Sequence, residues 1–208
     1  MGLLRSVFGP SKDEIWSQVA ASIGGEYIDG GFWKTGALVF QHGEWQMVLD
    51  TYTVNTNTGK THSHQTYTRL RAPFVNRDGL RFNIYRASFF SGLGKVFGMQ
   101  DITIGDPLFD DQFIIKGNNE EKIRLLFNSA EIKRMIQQQP RIRLQVKDDE
   151  GWFGTSFPQG VDELCFICGG VVKDAHLLRG LFDLFAVTLE RLVQIDSAYE
   201  DDPNVRLK

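Results

Sequence analysis

The sequence contains few of the residues that most often indicate a function. It has two cysteines, four histidines and six prolines among 208 residues, and its formal net charge is only −3. Two cysteines exclude a disulfide-rich secreted scaffold and favour a cytoplasmic location. The weak negative charge gives no electrostatic reason to bind nucleic acid, so no nucleic-acid partner is expected.

Long apolar runs are also missing. No stretch approaches the roughly 18 consecutive apolar residues that a membrane-spanning helix needs, so no transmembrane segment is predicted. Met1, Gly2 and Ser6 do fit the M-G-x-x-x-[ST] acylation pattern, which would place the N-terminus on a membrane. The alternative, which we prefer because that pattern is so short, is a small apolar arm packed on the protein body. The sequence does not indicate an oligomeric state.

Aromatic residues are plentiful, and hydrophobic periodicity divides the chain into helices and strands. Sixteen phenylalanines and four tryptophans predict an aromatic core. Ser11 and Glu14 form a capping box that predicts a helix, and Gly24 and Gly25 predict its end. Segment 37–54 predicts two strands joined at His42 and Gly43, and 65–74 and 80–90 predict two more, the last of them antiparallel with one face buried. Residues 55–64 are typical of a polar turn or loop.

The second half of the chain alternates between helical and extended patterns. Asn118 or Asn119 caps one predicted helix, and a second begins near Ser129. Strands are predicted at 141–147 and 164–172. The clearest helical periodicity runs from Asp174 to about Ser197 and predicts a long amphipathic helix that covers a sheet.

The order of these elements predicts the fold class. Strands come mainly before helices, and no βαβ unit repeats. We therefore expect an α+β fold, with a largely antiparallel sheet covered by a long C-terminal amphipathic helix and with an inserted helical pair. Residues 1–208 are interpreted as a single domain. The alternative is a division near Gly117 into a β-rich lobe, 1–117, and an αβα lobe, 118–208.

The glycine-rich stretch "FSGLGKVFG" resembles a phosphate-binding loop but lacks its defining positions. A Walker loop has the pattern G-x-x-x-x-G-K-[ST], in which Gly94 and Lys95 would be the G-K pair. Phe89 stands where the first glycine belongs, and Val96 stands where Ser or Thr belongs. The dinucleotide pattern also fails, because its third glycine arrives one residue late. We predict a tight bend, with Lys95 exposed, and no nucleotide or other cofactor.

Cys165 and Cys168 have the C-x-x-C spacing of redox pairs and zinc ligands. Redox pairs lie at a helix N-terminus, whereas both of these lie in a predicted strand. A zinc site would need further ligands, which only His62 and His64 offer. We interpret the cysteines as small buried side chains, and we predict no metal.

Two groups of charged residues leave alternatives open. The first could bind a hard cation, but it suits turns and helix caps equally well; it comprises Asp101, Asp106, Asp110 and Asp111. The second could bind single-stranded nucleic acid or an anionic ligand, although a solvated strand face explains it more simply; it comprises Arg69, Arg71, Arg77, Arg81 and Arg86, interleaved with Tyr67, Phe82 and Tyr85.

No catalytic or cofactor motif survives these comparisons, so no catalytic residue is predicted. The leading interpretation is a non-enzymatic cytoplasmic binding or protein-interaction module, with an exposed aromatic surface near Trp33 and Trp152. The alternative is a small-ligand-binding protein or an enzyme whose site is assembled from distant residues. Its candidate binding residues are His62, His64, Arg69 and Asp101.

The segment "IGDPLFDDQFIIKGNNEEKIRLLF" is similar to a segment in a bacterial family of unassigned function. In that family an F-D-x-x-F strand precedes a short helix with an acidic cap and then an I-x-L-x-V strand. The match covers Asp101 to Val146. The resemblance implies a bacterial domain that is non-catalytic or uncharacterised, and it supplies no functional residue. Phe109 and Phe113 are predicted to be core anchors on either side of a turn.

Overall fold

The computed structural model describes residues 9–31, 35–57, 59, 62–88, 100–148 and 157–207. Within these ranges ten strands form one sheet. They are β1 (Glu26–Ile28), β2 (Ala37–His42), β3 (Trp45–Asn57), β4 (His62–Asn76), β5 (Phe82–Arg86), β6 (Gln100–Ile102), β7 (Phe113–Gly117), β8 (Arg143–Lys147), β9 (Val161–Gly169) and β10 (Ala198–Tyr199). The sheet order is β1-β2-β3-β4-β9-β8-β5-β7-β6, and β10 pairs with the end of β4.

Five helices accompany the sheet in the described part of the chain. They are α1 (Lys12–Ile23), α2 (Pro107–Gln112), α3 (Glu120–Phe127), α4 (Ala130–Gln138) and α5 (Ala175–Gln194). The predicted caps are confirmed for α1, α3 and α4: Ser11 and Glu14 form a capping box, and Asn119 and Ser129 accept N–H groups of the first turns. Asp174 caps α5, which is the predicted C-terminal helix.

The sheet has two faces of different chemistry, because side chains alternate along each strand. One face, the helix face, is apolar and includes the cross-strand pair Leu49 and Leu70. All five helices bury side chains against this face. Aromatic contacts tie the layers together: the ring centroids of Phe40 and Phe182 lie 5.8 Å apart, and those of Phe82 and Phe127 lie 5.5 Å apart. The core therefore lies between this face and the helices.

The other face, the open face, carries the alternate residues of the same strands. The cross-strand pairs run without interruption from β2 to β6, so that rows of side chains cross the sheet. The open face differs from the helix face in being charged and aromatic. Its members include Asp50 and Tyr52 on β3, Tyr67, Arg69 and Arg71 on β4, Glu163, Cys165 and Ile167 on β9, Arg143, Gln145 and Lys147 on β8, and Asn83 and Tyr85 on β5.

The α+β fold class, the antiparallel sheet and the C-terminal helix are confirmed. All neighbouring strands of the described sheet pair antiparallel. Strands β8 and β9, from the second half of the chain, lie between β4 and β5 from the first half. This interleaving supports our proposal that the chain forms one domain. None of the helices in the described ranges has the length and apolar character required to cross a bilayer.

Three local predictions are wrong. The loop expected at 55–64 is mostly strand, because β3 continues to Asn57 and β4 begins at His62. The F-D-x-x-F segment is not a strand, because Phe109 to Gln112 belong to α2, which Asp106 caps. Strand β5 is buried on both faces rather than one, since Tyr85 on its open face is only 2% exposed.

Candidate ligand-binding groove on the open face

A groove of about 630 Å³ lies on the open face where β8 begins and β9 ends, beside Gln65 and Tyr67 of β4. The register places Arg143 beside Tyr85, and in the same row Ile167 pairs with Arg69. The groove is lined by Gln65, Tyr67, Tyr85, Arg141, Ile142, Arg143, Ile167, Cys168, Gly169 and Gly170. It combines an apolar and aromatic surface with two cations, and such convergence of a few polar groups in an apolar cleft is typical of ligand sites.

Arg143 is the central charged group of this groove. Its guanidinium is half-buried, and its Nε lies 3.4 Å from Oδ1 of Asn83. No carboxylate of the described residues forms an ion pair with it. Burial lowers the pKa of Arg143, because the charged form loses hydration. An arginine nevertheless stays protonated in a protein, so the groove contains a cation with unused N–H donors.

Tyrosines give the groove a fixed wall. The ring of Tyr67 stacks on Tyr52 with centroids 5.3 Å apart and planes 16° from parallel. The guanidinium of Arg69 lies over Tyr52, 5.1 Å from its ring centroid. Because Tyr67 is supported from behind in this way, it is pre-organised rather than free to collapse into the groove.

The end of β9 beside the groove is held by hydrogen bonds to its neighbours. The hydroxyl of Thr68 donates to the carbonyl oxygen of Gly170 at 2.8 Å and accepts from the backbone N–H of Val172 at 3.0 Å. Trp16 of α1 donates its indole N–H to the carbonyl oxygen of Val172 at 2.9 Å. The helix layer thus fixes the edge of a groove that opens on the opposite face.

A buried charge cluster adjoins the groove along β3 and β4. Asp50 accepts two hydrogen bonds from Arg69, at 2.7 and 3.0 Å, and one from Arg71 at 2.8 Å. Burial lowers the pKa of Arg71. For Arg69 burial is the largest cause and lowers the pKa, but the hydrogen bond and the charge of Asp50, with smaller contributions from Cys165 and Glu163, together raise it. These guanidinium groups are engaged with a carboxylate, so the cluster is structural and Arg143 is the cation available to a ligand.

The two cysteines are free, and both are buried in β9, as predicted. They point to opposite faces, since Cys165 pairs with Arg71 on the open face and Cys168 with Thr68 on the helix face. Burial raises the pKa of Cys165 to about 12 and that of Cys168 to about 11. At neutral pH both are thiols, which are poor nucleophiles and poor metal ligands.

These raised pKa values predict a loss of stability in alkali. The folded thiols hold their protons while the unfolded chain releases them, so this contribution is complete below pH 9 and is lost as the pH rises toward about 12 for Cys165 and about 11 for Cys168. Urea unfolding at increasing pH should show a steeper decline for the parent than for a Cys165→Ala variant. Equal slopes would contradict the prediction.

The four candidate binding residues do not form one site. His62 and His64 lie together on β4, on the face opposite Arg69, which is committed to Asp50. Asp101 lies on β6, five strands from β4 and so about 24 Å away at the usual strand spacing. It pairs with Lys116 at 2.7 Å. A binding role for each of these residues stays a prediction.

The other acidic residues considered as cation ligands serve the backbone and a lysine. Asp106 caps α2, and a hydrogen bond from Lys133 lowers its pKa. Asp110 accepts the N–H groups of Ile104 and Gly105 at 3.0 and 3.1 Å. Across the described ranges, no group of three or more histidine, cysteine, aspartate or glutamate side chains is placed to hold a metal ion.

A larger depression, about 840 Å³, lies beside α1. Its charged lining residues are Asp13, Glu14 and Asp29, and Asp13 already accepts a hydrogen bond from Tyr27 at 2.5 Å. It is a shallow acidic surface without a converging cation. The groove around Arg143 is the better candidate because, in the part of the chain that the structure describes, no carboxylate pairs with this guanidinium.

Arg141, Arg143 and Ile167 were missed by sequence reasoning. The alternation of "RIRLQVK" does place the side chains of Arg143 and the buried Leu144 on different faces of the strand. Only the pairing of β8 with β5 and β9 shows which residues surround Arg143. Several other predictions lie outside the described residues; they concern the acylation pattern at Met1 to Ser6, the aromatic surface at Trp33 and Trp152, and the bend around Lys95.

No protein-family model matches the chain, and no curated protein matches it either. Among solved structures it is similar to the mycobacterial trehalose monomycolate transport factor A, TtfA, with 10% sequence identity and a TM-score of 0.49. The alignment covers 90% of this chain and 97% of TtfA. A likeness at this level carries no functional argument, and the bacterial resemblance of Asp101 to Val146 stays an interpretation.

Proposed function

We propose that the protein is a non-enzymatic cytoplasmic binding module that holds a small ligand in the groove around Arg143. The ligand carries one anionic group, which pairs with Arg143, and an apolar or aromatic body, which packs on Tyr67 and Ile167. The observation that supports this most is a half-buried guanidinium with no carboxylate partner among the described residues.

The energetic argument rests on the cost of burying a charge. Burial withdraws water from the Arg143 guanidinium, and its described contact, a long one to Asn83, does not neutralise it. A carboxylate, phosphate or sulfonate would supply the missing charge and short hydrogen bonds, each contributing about 1.5–3 kcal/mol. Arg141 at the edge of the groove adds a second cation.

The shape of the groove favours a small molecule over a polyanion. Its volume of about 630 Å³ falls within the usual range for sites of drug-sized ligands. The net charge of −3 would repel an extended polyanion at long range. Cys168 is a lining residue, but its side chain points to the helix face, and its thiol has a raised pKa and cannot serve as a nucleophile at neutral pH. These features support binding without chemistry.

The test uses 8-anilinonaphthalene-1-sulfonate, which joins a sulfonate to aromatic rings and fluoresces in apolar surroundings. We expect saturable binding of one molecule per chain, and Arg143→Gln should weaken it at least about tenfold through the loss of a charge-assisted bond. The matched control is Arg179→Gln, an exposed arginine on α5 that should leave the affinity unchanged. Calorimetry gives the affinities, and urea unfolding shows that both variants are folded.

Displacement of this probe then identifies the natural class of ligand. Fatty acids, aromatic carboxylates, mononucleotides and peptides with a free C-terminus would each be titrated against the bound probe. Competition that disappears in Arg143→Gln supports the groove. Equal probe affinity in the parent and in Arg143→Gln would overturn the proposal.

A further inference from the structure

The β3–β4 hairpin extends beyond the rest of the sheet as a two-stranded ribbon, residues 53–57 and 62–66. In this ribbon β3 and β4 form a ladder with each other, because the strand pairing of β4 with β9 begins at Tyr67. At its base, the backbone N–H of Gly170 also donates to the carbonyl oxygen of Thr66 at 2.7 Å. Within it His62 and His64 are two residues apart in one strand, so both project from the same face with Cα atoms about 7 Å apart. Asn57 and Asn55 are their cross-strand partners.

A hydrogen bond orients the ring of His64. Its Nδ1 lies 2.6 Å from Oδ1 of Asn55. An amide oxygen only accepts hydrogen bonds, so Nδ1 carries a proton, and in the neutral imidazole the lone pair is then on Nε2. A metal-binding histidine is held in the same way, with one ring N–H donated to an oxygen and the other nitrogen on the metal. The ribbon therefore presents a pre-oriented imidazole ligand to solvent.

We infer that His62 and His64 form a two-histidine chelate for a divalent transition-metal ion such as Ni²⁺ or Zn²⁺. Imidazole nitrogen suits these ions, and the projection of both residues from one face of the strand lets the two rings reach a single ion. Asn55 is a positioning residue that acts through His64, and solvent completes the coordination. The site is independent of the groove, which lies on the other face of β4.

The four histidines of the chain offer an internal comparison. His42 is paired with Glu190 at 2.8 Å, and His176 lies at the exposed start of α5. Neither has a histidine neighbour at chelating distance in sequence. Only His62 and His64 combine the i, i+2 spacing with a bond that orients a ring.

The experiment titrates Ni²⁺, and separately Zn²⁺, into protein without an affinity tag and follows heat and imidazole NMR signals. We expect one equivalent per chain, with line broadening by Ni²⁺ at His62 and His64. His62→Ala or His64→Ala should weaken binding at least about tenfold, and Asn55→Ala about tenfold, the usual effect of removing such a support. His42→Ala and His176→Ala should bind as the parent does.

Two further results decide whether Asn55 acts by orienting His64. Asn55→Asp keeps an oxygen acceptor and should restore binding, whereas a merely structural role would show equal binding by the alanine and aspartate variants. Asn55, His62 and His64 are exposed, so their variants should unfold at the parent's urea midpoint. No detectable binding, or binding that both histidine variants retain, would overturn the inference.

Discussion

Replacing Asp50 by alanine should lower the free energy of unfolding by about 3–5 kcal/mol, the usual cost of breaking a buried ion pair. Asp50 is 8% exposed and accepts three hydrogen bonds from Arg69 and Arg71, and Arg71 is fully buried. The substitution removes the carboxylate that both guanidinium groups share and leaves their charges in a site with little water. Urea unfolding followed by circular dichroism gives the change directly.

A matched carboxylate on the same face provides the control for this prediction. Asp101 pairs with Lys116 at 2.7 Å, but its side chain is 76% exposed. Since exposed ion pairs contribute about 0–1 kcal/mol, Asp101→Ala should unfold at nearly the parent's urea concentration. If both alanine variants lost similar stability, burial would not be what makes the Asp50 cluster important.

Replacing Trp16 by alanine should cost about 3–5 kcal/mol, the usual range for removing a large buried aromatic side chain. Trp16 is fully buried between α1 and the sheet, and its indole N–H bonds Val172. The variant loses both the packing and the donor, which leaves a carbonyl oxygen without its partner. The change in urea midpoint measures the loss.

Two companion variants separate packing from hydrogen bonding at this position. Trp16→Phe keeps most of the ring volume but not the N–H, so it should cost about 1–3 kcal/mol. Ser17→Ala, on the exposed side of the same helix, should stay within about 0.5 kcal/mol of the parent. A Trp16→Ala loss no larger than that of Ser17→Ala would show that α1 does not pack as described.

Local signals allowed much of the fold to be predicted. Local residues specify both ends of α1. Ser11 and Glu14 cap its start, and Gly24 ends it in the left-handed conformation. Helix α5 and the hairpin of β2 and β3 follow equally clear periodicities. Helix α2 was missed because it has only six residues, and Asp106 with Pro107 suits a turn as well as a helix start.

The groove could not be predicted because it depends on pairing between strands far apart in the chain. Tyr67, Tyr85 and Arg143 come from β4, β5 and β8. No local pattern indicates that β8 and β9 lie between β4 and β5 in the sheet. For the same reason the burial of Asn83 and Tyr85 on the open face was missed. Their alternation with Phe82 and Ile84 is the same whether one face is covered or both.

The position of β9 beside β4 in the sheet also has a consequence for folding during synthesis on the ribosome. Thr68 and Gly170, which the structure joins by a hydrogen bond, are 102 residues apart in sequence. At usual synthesis rates the partner of β4 appears about 5–20 s after β4 itself. During that interval one side of β4 has its backbone groups unpaired and open to other chains over the nine residues, 67–75, that later pair with β9. Aggregation of this protein should therefore be governed by translation speed and chaperone supply more than by the stability of the finished fold.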